Sequence, residues 1–98
     1  MSDQSCFITL LSIELVIPYA QSLKDKRSAV LRLKDRVRSK FNASVAEVAF
    51  QDKWQRAVLA VCMVSGDKRK LESDADRLRQ LCEEETGIEI AAFNQEWL

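Results

Sequence analysis

Four strand-like runs and two helical stripes, in the order strand–helix–strand–strand–helix–strand, predict an α+β domain with a four-stranded antiparallel sheet. Three observations carry this. Phe7 to Ile17 is dense in β-branched and aliphatic residues. Apolar residues recur at helical spacing after Ser22 and again after Asp67. A short polar segment, Asp52 to Arg56, separates two further strand-like runs, as in a hairpin. With 98 residues, two glycines and one proline, the chain has room for one core and little linker, so residues 1–98 read as a single domain.

Each element has its own justification. In the first run Phe7, Leu11, Ile13, Leu15 and Ile17 share one face, interrupted by Thr9, and Pro18 bounds the strand. Ser22 with Asp25 three residues on is close to a capping box, and Leu23, Val30, Leu33, Val37 and Phe41 follow as one helical stripe that Asn42 stops. Ser44 to Gln51 and Ala57 to Val64 are the middle strands. Ser65-Gly66-Asp67 has turn and N-cap chemistry. Leu71, Ala75, Leu78 and Cys82 then line the inner face of a second helix, with Gly87 as the residue just past its end, and Ile88 to Trp97 is the last strand. Right-handed crossovers place both helices on one face of the sheet, in strand order 4-1-3-2: the ferredoxin-like arrangement.

Composition excludes several chemistries. The absence of histidine removes Ser-His and Cys-His nucleophile pairs and the commonest metal ligand. Cys6, Cys62 and Cys82 form no C-x-x-C pair, are a poor start for zinc, and each reads as a buried free thiol in a reducing compartment. Met1 to Ser5 carries one acid and no base, unlike a secretory signal, and the uncharged run Cys6 to Ile13 is too short to span a bilayer. The expectation is a cytoplasmic, non-enzymatic protein with no cofactor, no metal and no membrane contact.

The zero net charge hides an asymmetry. Gln21 to Arg56 holds ten Lys/Arg against four Asp/Glu, +6; Asp67 to Leu98 holds five against nine, −4. In the predicted topology the first strand ends, the first helix begins and the hairpin turns at one sheet edge. That edge gathers Lys24, Lys26, Arg27, Lys53 and Arg56, with Trp54 and Gln55 beside them. Cations at a helix start oppose its partial positive charge at about 0.3–1 kcal/mol each, and such a conflict, with free N–H groups nearby, suits a phosphate or carboxylate. The competing expectation is internal pairing with Glu83, Glu84 and Glu85 at the end of the second helix. Farther along, Arg27, Lys34 and Arg38 flank one side of the apolar stripe and Arg32, Arg36 and Lys40 the other. Trp54 reads as a recognition residue or a hairpin clamp, and Trp97 as packing.

The segments Ser22 to Ser28, Asn42 to Val48 and Gln51 to Ala57, together with the final Glu96-Trp97-Leu98, resemble the YlxP-like family of small bacterial proteins of uncharacterised function. The resemblance implies a ferredoxin-like fold and no catalytic residues to carry over. Members' genes often lie near those for translation initiation factor two and ribosome-binding factor A, which implies a role around ribosome assembly or RNA metabolism. The S-L-K-x-K-R and D-x-W-Q-R patterns fall on the sheet edge above; Ala60 stands where members often have glycine.

Two functions follow as expectations. One is a binder of structured RNA or the ribosome, with Lys24, Lys26, Arg27, Lys53, Trp54, Gln55 and Arg56 as the anion site and Arg32, Arg36 and Arg38 extending the track. The other is a protein-interaction or homodimer module using the open sheet face, where Ile8, Leu10 and Val16 offer no aromatic for base stacking. An anion-handling hydrolase would need a glycine-rich phosphate loop that the sequence lacks.

Overall fold

A computed structural model describes residues 6–98; Met1 to Ser5, the segment unlike a secretory signal, lies outside the described residues. The elements are β1 (Phe7–Val16), α1 (Leu23–Lys40), β2 (Ala43–Ala49), β3 (Arg56–Ser65), α2 (Lys68–Glu84) and β4 (Glu89–Trp97). The four strands form one antiparallel sheet in the order β2-β3-β1-β4, the predicted ferredoxin-like order read from the other edge.

Strand alternation decides which side is covered. Leu11, Ile13, Leu15 and Ile17 of the β1 run and Ala57, Leu59, Val61 and Met63 of β3 are buried against Val30, Leu33 and Val37 of α1 and Leu71, Leu78 and Cys82 of α2. Thr9 is also buried on this face. Its hydroxyl donates to the Glu96 carbonyl at 3.0 Å and accepts from the Gln95 amide at 3.1 Å, so the polar interruption is satisfied. The opposite face, with Ile8, Leu10, Val16, Val58, Ala60, Cys62 and Val64, carries no helix.

Two details differ from the sequence reading. Gly87 is not the residue just past α2. The helix closes through the Glu85 N–H on the Cys82 carbonyl, and Gly87 (φ 82°) serves the next turn, where the Ile88 N–H reaches the Glu85 carbonyl at 3.3 Å. A positive φ at the third residue of such a turn is the type II pattern that favours glycine. Only Cys82 of the three thiols is buried: Cys6 precedes the sheet and is exposed, and Cys62 lies on the uncovered face at intermediate exposure.

The edge strand β2 is closed to further pairing by its own neighbours. Arg38 donates to the Val45 carbonyl and Gln51 to the Glu47 carbonyl, both at 3.1 Å. The register shifts between Glu47 and Ala49, leaving Val48 as an extra residue. Capped carbonyls and a bulge are common means of protecting an edge.

Candidate functional site

The sheet edge assembled by topology is a single hydrogen-bonded corner. The Ile17 N–H donates to the Gln55 carbonyl at 2.9 Å, and the Gln55 side-chain amide donates to the carbonyls of Pro18 (3.1 Å) and Ala20 (3.0 Å). Gln55 therefore joins the hairpin to the end of β1 and is committed to the fold rather than to a ligand.

Lys26, a candidate cation that also lies near the apolar stripe, is buried completely. Its positions relative to Val30, Leu33 and Val37, at +4, +7 and +11, put it on the inner face of α1, and its relative exposure is 0%. Burying an ammonium is costly unless it is paired and hydrogen-bonded. Here it donates to the carbonyls of Phe50 (2.6 Å) and Arg56 (3.2 Å) and lies 3.0 Å from the Glu47 carboxylate. That carboxylate oxygen makes no well-directed hydrogen bond, so the last contact is ionic. Lys26 pins the first turn of α1 to both ends of the hairpin turn, and its charge is not offered to solvent.

Arg56 is likewise engaged internally. Its guanidinium pairs with Glu14 on the uncovered sheet face and sits 4.2 Å from the centroid of the Phe50 ring. The helix start is also closed by the chain. The Ser22 hydroxyl accepts from the Asp25 N–H at 3.0 Å, and the Asp25 carboxylate accepts from the Gln21 N–H at 3.0 Å. The chain's own acid thus sits beside that terminus, accepting from Gln21 just outside the helix, while Ser22 caps one helical N–H.

Of the seven candidate residues only Lys26 is buried; Gln55 and Arg56 are exposed but held by partners in the chain, which leaves Lys24, Arg27, Lys53 and Trp54. Among the described residues no carboxylate lies within 4.0 Å of the Lys24, Arg27, Lys34 or Lys53 cations. An open depression of about 500 Å³ is lined by Asp52, Lys53, Trp54, Gln55 and Arg56. A smaller one of about 220 Å³ is lined by Arg27, Val30, Leu31, Lys34 and Glu47.

The two flanks of α1 are electrostatically unlike. On the side towards α2, Arg36 pairs with Glu85 and Arg32 donates to the Tyr19 hydroxyl at 3.2 Å. Glu83 pairs with Arg79 within α2. So of the acids at the end of α2 one, Glu85, neutralises Arg36 in the middle of α1, and among the described residues none pairs with its first turn. On the side towards β2, Arg38 is held by the Val45 carbonyl and by Asp35 at 3.9 Å. Lys24, Arg27 and Lys34 have no such partner. Of the expected extension, Arg32 and Arg36 lie on the flank towards α2 and Arg38 on the flank towards β2, each held by a partner in the chain.

Three contributors to this corner escaped the sequence reading: Glu14, Glu47 and Phe50. Glu47 had a signal, because with Val45 it occupies the inward register of β2, where a lone charge requires a partner. Phe50 adopts φ 59°, a left-handed conformation that bulky residues rarely take and that no local pattern announces.

The family described as "Protein of unknown function (DUF503)" matches residues 8–95. The chain belongs to that family. The uncharacterised protein YlxP of Bacillus subtilis (strain 168) is 34% identical over 84 residues, covering 86% of this chain and 91% of that protein. The YlxP-like resemblance carried by the Ser22, Asn42 and Gln51 segments is thereby established. Among solved structures, a C-terminal segment of the alpha subunit of aIF2 from Pyrococcus abyssi aligns with a TM-score of 0.45 at 18% identity, covering 96% of this chain and 50% of that one. Among the described residues there is no group of three His, Cys, Asp or Glu placed to hold a metal, and no helix is long and apolar enough to cross a membrane.

Proposed function

We propose that this chain is a non-enzymatic binder of structured RNA, acting around the ribosome, that grips the phosphate backbone with one flank of α1. The contacts are Lys24, Arg27 and Lys34, continued by Lys53 of the hairpin. One observation carries the reading: towards α2 Arg36 is paired with Glu85 and Arg32 is held by the Tyr19 hydroxyl, whereas these four cations, Lys34 half-buried and the others exposed, have no carboxylate partner among the described residues. Lys24 to Lys34 spans about 15 Å of helix, enough to meet more than one phosphate.

Four phosphate contacts give a log–log salt slope of about −3 to −4, or roughly a hundred-fold loss of affinity between about 50 and 200 mM salt. Fluorescence anisotropy with a fully paired RNA stem measures this. Replacing Arg27 and Lys34 together by alanine is expected to reduce the slope by about 2, while Arg32→Ala on the other flank leaves it unchanged. Equal slopes in the two variants would remove the proposed interface.

A second reading has its own support. The helix-free face offers Ile8, Leu10, Val58, Ala60, Cys62 and Val64, with Val64 50% exposed, as a surface for a second copy of the chain. It requires no nucleic acid, and the two readings are independent.

A further inference from the structure

The hairpin turn is built more firmly than a connection between two strands needs. The Phe50 carbonyl accepts from both Lys26 and the Lys53 N–H, the latter at 3.0 Å. At the other end Gln55 makes three hydrogen bonds to residues 17–20. Phe50 itself is held in the left-handed region, at φ 59°. Both ends of the turn are thus fixed by groups outside it, and Trp54 is presented between them at 53% exposure.

The other aromatic rings are already in use. Phe7 packs against the core, Phe41, Phe50, Phe93 and Trp97 each hold a cation of the chain, Arg77, Arg56, Arg79 and Lys68 respectively, and Tyr19 accepts from Arg32. Among the described residues the Trp54 ring has no such partner, and it borders the depression of about 500 Å³ together with Lys53. The geometry points to Trp54 as the stacking platform for one unpaired nucleobase, at a bulge or loop adjoining the stem that the α1 flank grips. This rests on the RNA reading above and narrows its target from any duplex to one with an extruded base.

Three facts make this occupant fit. A bare indole is the residue type on which splayed bases stack. The Lys53 ammonium stands next in sequence for the adjoining phosphate. A turn fixed at both ends loses little freedom on binding, so the stacking free energy is not consumed by ordering the loop.

The test compares a paired RNA stem with the same stem carrying one unpaired adenosine, and with an abasic unit at that position. Wild-type protein is expected to bind the bulged stem about five- to a hundred-fold more tightly than the paired one, the range of a single base–aromatic stack. The abasic stem and Trp54→Ala should each abolish that preference, Trp54→Phe should keep most of it, and all variants should bind the paired stem as wild type does. In a Trp97→Phe background, the remaining fluorescence should be quenched by the bulged stem and not by the paired one. A wild-type preference near unity, or a preference surviving in Trp54→Ala, overturns the stacking role and leaves the helix flank standing. Failure to bind either stem removes both.

Discussion

Lys26→Met is the substitution that most directly tests the structural account of this corner. Methionine keeps an unbranched side chain, one atom shorter, and removes the charge. Three interactions disappear: the hydrogen bonds to the Phe50 and Arg56 carbonyls at 2.6 and 3.2 Å, and the contact with Glu47 at 3.0 Å. Breaking a buried ion pair on one side costs about 3–5 kcal/mol, mostly for the charge left behind. Here the lower figure applies, because the Glu47 side chain retains 17% exposure and the Phe50 carbonyl keeps the Lys53 N–H. A loss of about 3 kcal/mol, with an ordinary urea dependence of about 1–3 kcal/mol per molar, lowers the midpoint by roughly 1–3 M. The double variant Lys26→Met/Glu47→Leu removes the orphaned carboxylate as well, and should return to within about 1 kcal/mol of wild type. Urea unfolding followed by circular dichroism reads both. A single-variant loss under about 1 kcal/mol, or a double variant as costly as the two singles added, would show that Lys26 is not the pin described.

Three further outcomes follow. Burial pushes the Cys82 thiol from its ordinary 9.0 up to about 12, with Glu85 and then Glu83 adding to the shift and Arg36 opposing it. The folded chain therefore keeps a proton that the unfolded chain releases; the contribution is intact below pH 9 and is lost as pH rises from there towards about 12. Urea midpoints at rising pH should fall more steeply for wild type than for Cys82→Ala, by at most about 1.4 kcal/mol per pH unit, and parallel curves would refute the shift. Gly87→Ala places a side chain at φ 82° with its Cβ 2.5 Å from the Tyr19 ring. A loss of about 1–2 kcal/mol is expected in thermal unfolding, and an unchanged melting temperature would mean that the turn relaxes freely. Leu10→Glu on the uncovered sheet face should convert a dimer to a monomer in sedimentation without altering RNA binding; a wild-type chain that is monomeric at high concentration ends the homodimer reading.

Alternation and spacing were sufficient for the architecture. The inward set Leu11, Ile13, Leu15 and Ile17 fixes which way β1 faces, and the helical stripe Val30, Leu33 and Val37 fixes what covers it. Once the element order is known, the meeting of residues 17–20, the α1 start and the hairpin follows from connectivity. The pairing of charges does not. Arg36 and Glu85 are 49 residues apart, and Arg56 and Glu14 are 42 apart, so which acid reaches which base depends on helix placement and sheet register together. Lys26 was legible in position but not in role: its spacing places it among core residues, yet a charged side chain reads as surface until its partner, Glu47, is seen across from it.

The crowding of cations at the start of α1 therefore has two physical origins rather than one. Lys26 is there because the turn between β2 and β3 turns two carbonyls and one carboxylate inward, and only a buried cation can meet all three. Lys24 and Arg27, two residues before and one after it and so on other faces of the helix, answer to no such demand, and a broken local rule without internal compensation is where a functional surface is expected. The lysine withheld from any ligand also sets the position of the turn that presents Lys53 and Trp54. A Lys26 variant that lost RNA affinity would thus report a displaced hairpin, not a phosphate contact of its own. Its paired-stem salt slope would fall by about 1 at most, for Lys53, whereas removal of Arg27 and Lys34 must lower that slope by about 2.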